Sequence, residues 1–227
     1  MSLPPGQRRV EGFPRFGAGT GRPAPAVPLD PAIKIRGAVA ASFAVPLAAL
    51  ATLPRREITA DFHCVAGWSA TNLQWEGVAF ETFYRRFIEP ALDPGTAVTH
   101  LVFGGLDGHR SVGCLGDALA EDVLIAENLD GHPLGGDHGA PARLVSPRQY
   151  GFISTKHLSR IDVHTAEPTD VYRSPAMRVL APHSRARVWQ EERHRYLPAW
   201  SLRHVYRLLI PPIRLLNARG SRPRRLG

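Results

Sequence analysis

The apolar residues of this chain come in short runs, which removes most architectures at once. The longest stretch, 38–53, is broken by Ser42 and Pro46, so it falls short of the ~20 apolar residues a membrane-spanning helix needs. Prolines and glycines, 21 of each in 227 residues, punctuate the rest and keep every element brief. Periodicity predicts strands at 33–39, 57–64, 75–80, 98–103, 110–115, 124–126 and 143–145. Asp107-Gly108 marks the turn between two of them. A short helix is expected at 46–50, closed by Pro54. A longer one is expected over 81–92, with Phe83, Phe87 and Ile88 on one face. Another short helix starts at Asp117, and 156–163 reads as a helical turn followed by a strand. Helices are also expected at 187–197 and 201–216, separated by Pro198. The predicted fold class is α+β, with mixed β-sheets and short helices.

Three parts are expected along the chain: a Pro/Gly-rich N-terminal arm over 1–31, a main domain over 32–182, and a basic helical extension over 183–227. The charge divides the same way. The whole chain carries 28 basic and 20 acidic residues, a net +8. From His183 onward there are 11 arginines and two glutamates, which leaves 17 basic and 18 acidic residues before it. The high isoelectric point therefore belongs to the extension and says nothing about the main domain. Lys34 and Lys156 are the only lysines, against 26 arginines.

Two segments carry chemistry. The first is Asp61-Phe62-His63-Cys64-Val65-Ala66-Gly67-Trp68-Ser69, a cysteine and a histidine at the end of a predicted strand. A thiolate there suits a soft metal or nucleophilic attack, while a lone cysteine also serves as a small buried hydrophobe. The second runs from Gly135-Gly136-Asp137-His138-Gly139 through Arg143 to Ser154-Thr155-Lys156. Glycine-freed amides with an arginine and a lysine suit phosphate oxygens, and a solvated surface loop has the same composition. The chain has no CxxC or HExxH pairing, no Walker loop, and no GxGxxG after a strand. Structural zinc, nucleoside triphosphates and nicotinamide cofactors are disfavoured accordingly.

Taken together, six ordered segments between Ile33 and Val163 resemble the oxidoreductase molybdopterin-binding domain of the sulfite-oxidase superfamily. They are the 61–69 segment, Trp75-Glu76-Gly77-Val78, Asp117-Ala118-Leu119, and Leu129-Asp130-Gly131-x-Pro133-Leu134. The last two are His138-Gly139-x-Pro141-x-Arg143-Leu144-Val145-x-Pro147 and Tyr150-Gly151 leading to Ser154-Thr155-Lys156-x-Leu158. The resemblance implies a sulfite-oxidase-type molybdopterin-binding fold and the molybdenum cofactor. It implies Cys64 as the metal's protein ligand, with His138 and Arg143 holding the pterin and its phosphate. Ser154, Thr155 and Lys156 then wrap the same cofactor, and His63 faces the pterin or the metal's surroundings. Gly67-Trp68-Ser69 follows the cysteine where animal sulfite oxidases carry Gly-Asn-Arg.

The function this implies is oxygen-atom transfer on a small substrate, with electrons exchanged with a separate redox partner. No apolar run follows Arg8-Arg9, so an export signal is not expected and a cytoplasmic location is. A rival expectation rests on the extension. Trp200, Val205, Leu208, Leu209, Ile213 and Leu216 form an apolar stripe bordered by arginines, which suits an anionic membrane surface or an acidic partner. No specific nucleic acid is expected. Cys114 is expected to be structural.

Overall fold

Strict alternation in Ile33-Lys34-Ile35-Arg36 builds the first long strand, with both isoleucines fully buried and the two cations exposed. The computed structural model describes residues 2–15, 23–171 and 182–198, with five positions between 201 and 211. Its strands are β1 (Arg8–Arg9), β2 (Ala32–Gly37), β3 (Phe43–Pro46), β4 (Arg55–His63), β5 (Trp68–Ala79) and β6 (His100–Gly105). They continue with β7 (Arg110–Cys114), β8 (Leu124–Leu129), β9 (His132–Pro133), β10 (Arg143–Val145) and β11 (Leu158–His164). Two short α-helices, α1 (Phe80–Phe83) and α2 (Leu115–Ala118), follow β5 and β7 directly.

The strands form two mixed sheets. One has the order β3-β2-β11-β6-β7, with β2 and β11 parallel and the other pairs antiparallel. The other is organised around β5. On one edge β5 pairs antiparallel with β4, from Arg55↔Val78 to His63↔Ser69. On its opposite edge β1 pairs parallel at Trp68 and Ser69, and β8 pairs antiparallel at Trp75–Ala79, with β10 beyond it.

Alternation along β8 defines two sides of this second sheet. Ile125 joins the main core, where Ile33, Phe103, Ile161 and Phe80 tie both sheets together. Leu124 and Ala126 point the other way, into a smaller cluster with Cys64, Trp68, Trp75 and Val145. Val10 and Phe13 of the N-terminal arm pack against that outer cluster, so the arm lies over the face that carries Cys64.

Several expectations are revised. β5 begins at Trp68 rather than at Trp75, because its first half pairs with β4 across a bulge. The bulge accommodates Asn72 at a positive φ of 59°, which hides the alternation. The 81–92 helix is three short pieces, α1 followed by a π turn (Tyr84–Ile88) and a 3-10 turn (Glu89–Ala91). Residues 156–157 form no helical turn before β11.

The expected 187–197 helix is absent. The Tyr150 amide donates to the Ala186 carbonyl at 2.8 Å and the Val188 amide to the Arg148 carbonyl at 3.0 Å. These bonds to another part of the chain replace the local ladder a helix would need. Ala186 and Val188 are fully buried in the main core. Ser201, Leu202, His204, Leu208 and Pro211 are helical, and Leu208 is exposed. The remainder of the apolar stripe and its flanking arginines lie outside the described residues. Among the described residues no helix is long and apolar enough to cross a membrane.

The burial of Val188 gives a direct expectation. Val188→Ala removes two buried carbons and should lower unfolding free energy by about 2 kcal/mol, measured by urea denaturation. A loss below about 0.5 kcal/mol, the range of ordinary surface substitutions, would mean that this segment does not dock in the core.

Candidate functional site

Cys64 sits at the tip of the β4–β5 hairpin. Its amide donates to the Trp68 carbonyl at 2.8 Å, and the Gly67 amide returns to the Cys64 carbonyl at 2.9 Å. Closing so tight a turn places Gly67 at φ +97°, a conformation glycine adopts without a Cβ clash. The thiol is buried, and burial pushes its pKa up to about 12, opposed by the Ala66 backbone and by the charges of Arg193 and Lys156. The thiolate is therefore disfavoured without a further cation, and a metal ion bound there would supply such a charge.

The turn is gripped from both ends of the chain. Arg193, 1% exposed, donates to the Val65 carbonyl and, at 3.4 Å, to the Pro5 carbonyl. Its guanidinium lies 4.8 Å over the Tyr150 ring. From the N-terminal side, the Gln7 amide donates to the Cys64 carbonyl at 3.2 Å. His63 is turned toward Ser69, with 2.7 Å between Nδ1 and Oγ. Burial lowers the His63 pKa, so its imidazole is neutral near pH 7.

The second predicted segment folds around Arg143. This side chain is fully buried, and burial lowers its pKa to about 9. It donates to the His138 and Ser154 carbonyls, both at 3.0 Å. The rings of Trp75, Phe62 and Phe13 stand 5.1, 5.5 and 5.7 Å from its central carbon, and their faces partly compensate a cation removed from water. Arg143 thus fastens the His138 loop to the Ser154 loop. Gly139, at φ +107°, permits the approach, because a Cβ there would stand 3.1 Å from Lys156 Cα.

Lys156 Nζ donates to the Asp137 carbonyl at 2.7 Å. Its pKa is lowered to about 7 by burial and by Arg143 and Arg15, with Asp137 and Asp107 opposing. Arg15 reaches in from the arm to pair with Asp137 Oδ1 at 3.0 Å. Burial, with Lys156 and Arg143 nearby, lowers His138 to about 4. Three cationic side chains thus converge on one another, and the carboxylates present offset only part of their repulsion.

Of the seven residues singled out in the sequence, His138, Arg143, Ser154 and Lys156 converge directly. Lys156 lies within electrostatic reach of Cys64, which has His63 beside it. Ser154 Oγ accepts from the Ser146 amide at 3.0 Å and keeps its own proton to donate. Thr155 is placed otherwise, since its hydroxyl shares a 2.7 Å bond with Ser111 and is committed within the fold. Gln7, Phe13, Arg15, Trp75 and Arg193 also build the site. Only Trp75 lies in a segment the sequence marked.

The residues fit a phosphate-bearing, metal-carrying heterocycle. His138 Nδ1 and Trp75 Nε1 are sealed from solvent without a hydrogen-bond partner, and buried polar atoms of this kind call for a ligand that pairs them. The Phe13 ring stacks on His138 at 4.7 Å and 11°, which provides a flat aromatic wall. Among the described residues no group of three or more His, Cys, Asp or Glu could hold a metal. A metal bound at Cys64 would have to draw its other ligands from outside these side chains.

Fold and site define an α+β redox domain with one cysteine set beside a basic, aromatic cofactor cradle. Residues 23–172 match the family model for the oxidoreductase molybdopterin binding domain, and the chain belongs to that family. It is similar to the uncharacterized oxidoreductase YuiH of Bacillus subtilis, 34% identical over 110 residues, which are 48% of this chain and 52% of that protein. It is also similar to the protein-methionine-sulfoxide reductase catalytic subunit MsrP of Xanthomonas campestris pv. campestris, 31% identical over 112 residues (43% of this chain, 33% of that one). Nitrate reductase (NADH) 1 of Nicotiana tabacum is 34% identical over 86 residues, 38% of this chain and 10% of that protein. The fold matches the sulfane dehydrogenase SoxCD of Paracoccus pantotrophus with a TM-score of 0.57 at 22% identity, covering 73% of this chain and 46% of that one. The chain thus spans about half or less of the length of these relatives. All seven sequence-marked residues lie inside the matched span, while Gln7, Phe13, Arg15 and Arg193 lie outside it.

The lysine supplies a pH test. Its folded pKa of about 7 lies below the ordinary 10.5, so Lys156 loses its proton inside the protein before the unfolded chain would. A bound phosphate favours the ammonium, so binding takes up a proton in that window and weakens as pH rises through about 7. Calorimetry of metal-free molybdopterin binding, which leaves the Cys64 thiol protonated, should report uptake close to one proton at about pH 8 in two buffers of different ionisation enthalpy. Lys156→Met should abolish it. Equal heats in both buffers would remove Lys156 from the phosphate site.

Proposed function

We propose that this chain is a molybdenum-cofactor-dependent oxidoreductase that transfers an oxygen atom to or from a small substrate and exchanges electrons with a separate redox partner. The observation that carries the reading is the single buried sulfur donor at a hairpin tip, within electrostatic reach of a cation cluster. When bound, the cofactor supplies a two-electron metal couple, and the protein supplies binding, orientation and electrostatics. Cys64 provides the protein's ligand to the metal. Lys156 and Arg15 hold the phosphate, and the buried Arg143 fixes the loops that receive it. His138 and Trp75 offer their unpaired nitrogens to the pterin, and Phe13 covers one of its faces.

The substrate side follows from the residues after the cysteine. Trp68 is buried and uncharged, and the Ser69 hydroxyl bonds inward to Gln7 at 3.1 Å. This segment therefore offers no cation to a substrate, which disfavours the sulfite dianion and favours an uncharged sulfur or nitrogen oxide. The relative named for methionine-sulfoxide reduction is consistent with such an acceptor, whereas nitrate, the substrate in another relative's name, is an anion.

The test begins with metal analysis of the purified full chain, which should contain molybdenum at near one per chain. Turnover of sulfoxides, nitrate and sulfite is then measured with an artificial electron carrier, and a sulfoxide should be preferred over sulfite. Cys64→Ser should fold and lose more than about 100-fold in turnover, because losing a metal ligand exceeds the effect of losing its outer-shell partners. Wild-type turnover in matched, cofactor-loaded Cys64→Ser protein would reject the assignment.

A further inference from the structure

Outside the family-matched span, the arm brings one buried polar side chain to the metal ligand. Gln7, 9% exposed, touches both the Cys64 carbonyl and the Ser69 hydroxyl, and Ser69 in turn touches His63. We propose that Gln7 is a positioning residue that acts through Ser69 to fix His63 as the Nδ1–H tautomer, leaving Nε2 to accept a hydrogen bond from an N–H of the bound pterin.

The direction of every bond in this chain is settled by its first member. A backbone carbonyl only accepts, so the Gln7 group 3.2 Å from the Cys64 carbonyl is the amide nitrogen. The Gln7 oxygen is then the group 3.1 Å from Ser69 Oγ, and it too only accepts. Ser69 has a single hydroxyl proton and gives it to Gln7. Ser69 Oγ therefore faces His63 Nδ1, 2.7 Å away, with lone pairs only, so Nδ1 carries the proton. A neutral imidazole has one N–H, and the bond made by one nitrogen decides the state of the other. His63 Nε2 is left as an acceptor and cannot donate. Among the described residues Nε2 makes no hydrogen bond, so the acceptor is not consumed within the fold. The same Gln7 side chain grips the backbone of the metal ligand, so one residue fixes both the thiolate's carrier and its neighbour's hydrogen-bonding polarity. The pterin part of this inference rests on the proposed function; the tautomer part does not.

The tautomer is read on the full chain without cofactor, labelled with 15N-histidine, at about pH 8, above the ordinary imidazole range. Long-range proton–nitrogen correlation separates protonated from bare ring nitrogens, and His63→Gln assigns the signals among the ten histidines. Wild type should give a protonated Nδ1 and a bare Nε2 at position 63. Gln7→Met frees the Ser69 proton to turn toward Nδ1, and the pattern should reverse, although Gln7 never touches the ring. Ser69→Ala removes the acceptor itself and should reverse the pattern as well, which covers a Gln7 variant that fails to fold. A purely structural Gln7 would leave the tautomer unchanged. A bare Nδ1 in wild type, or the wild-type pattern in folded variants, overturns the relay. Cofactor release from the loaded protein should also quicken in Gln7→Met, by about 10-fold or more. A reversed tautomer with unchanged release overturns the pterin contact alone. Absence of molybdenum from every preparation would instead sink the functional reading and leave the tautomer result standing.

Discussion

The Arg143 guanidinium is a cation taken entirely out of water, with no carboxylate among the described residues bonded to it. Desolvating an ion costs several kcal/mol even after relaxation, so this side chain is tolerable only where its surroundings are complete. The His138 and Ser154 carbonyls and three aromatic rings supply those surroundings. They come from five separate places: the arm, β4, β5, the loop before β10, and the loop before β11. Each must be in position for the charge to be satisfied. The cofactor cradle is therefore assembled cooperatively, and its preorganisation derives from a group that itself need not touch the ligand.

The same loss of water shifts two groups of the candidate site in opposite directions. Burial raises the Cys64 thiol and lowers the Lys156 ammonium. In both cases the neutral form is favoured because the charge has lost water without gaining a full counter-charge. A metal at the sulfur and a phosphate at the lysine each provide the missing sign. A ligand carrying both a cation and an anion would offset the desolvation of both groups at once.

The residues that converge in the candidate site were largely marked in the sequence, because the hairpin tip and the glycine-flanked loop are contiguous motifs. Cys64 with His63, and His138 with Arg143 and Lys156, each sit in segments short enough for spacing to carry meaning. The resemblance assigned Arg143 to the pterin and its phosphate, but its full burial among three aromatic rings was not legible, since an arginine opening a strand reads as exposed. The contributions of Gln7, Phe13 and Arg15 were hidden for another reason. They lie in a Pro/Gly-rich arm without periodicity, and they reach the site by parallel pairing of β1 with a strand 60 residues later. No local pattern encodes such a long-range contact. The helix expected over 187–197 failed because apolar spacing was satisfied instead by burying Ala186 and Val188 beside Tyr150.

The basic extension shows how far a charge count is from a surface. Four of its eleven arginines fall in the described segment 182–198, and none is simply displayed to solvent. Arg185 pairs with Glu192, and Arg187 with Asp117 of α2. Arg195 pairs with Glu167, and Arg193 is buried against Val65 and Tyr150. Exposed ion pairs contribute only about 0–1 kcal/mol each, so they do not hold the segment down; the burial of Ala186, Val188 and Arg193 does. Their effect is instead to cancel charge. Asp117 and Glu167 belong to the main domain, so its acids neutralise part of the extension that a simple division at residue 183 assigns wholly to a positive tail. The first part of the extension thus belongs electrostatically and sterically to the hairpin and core it braces.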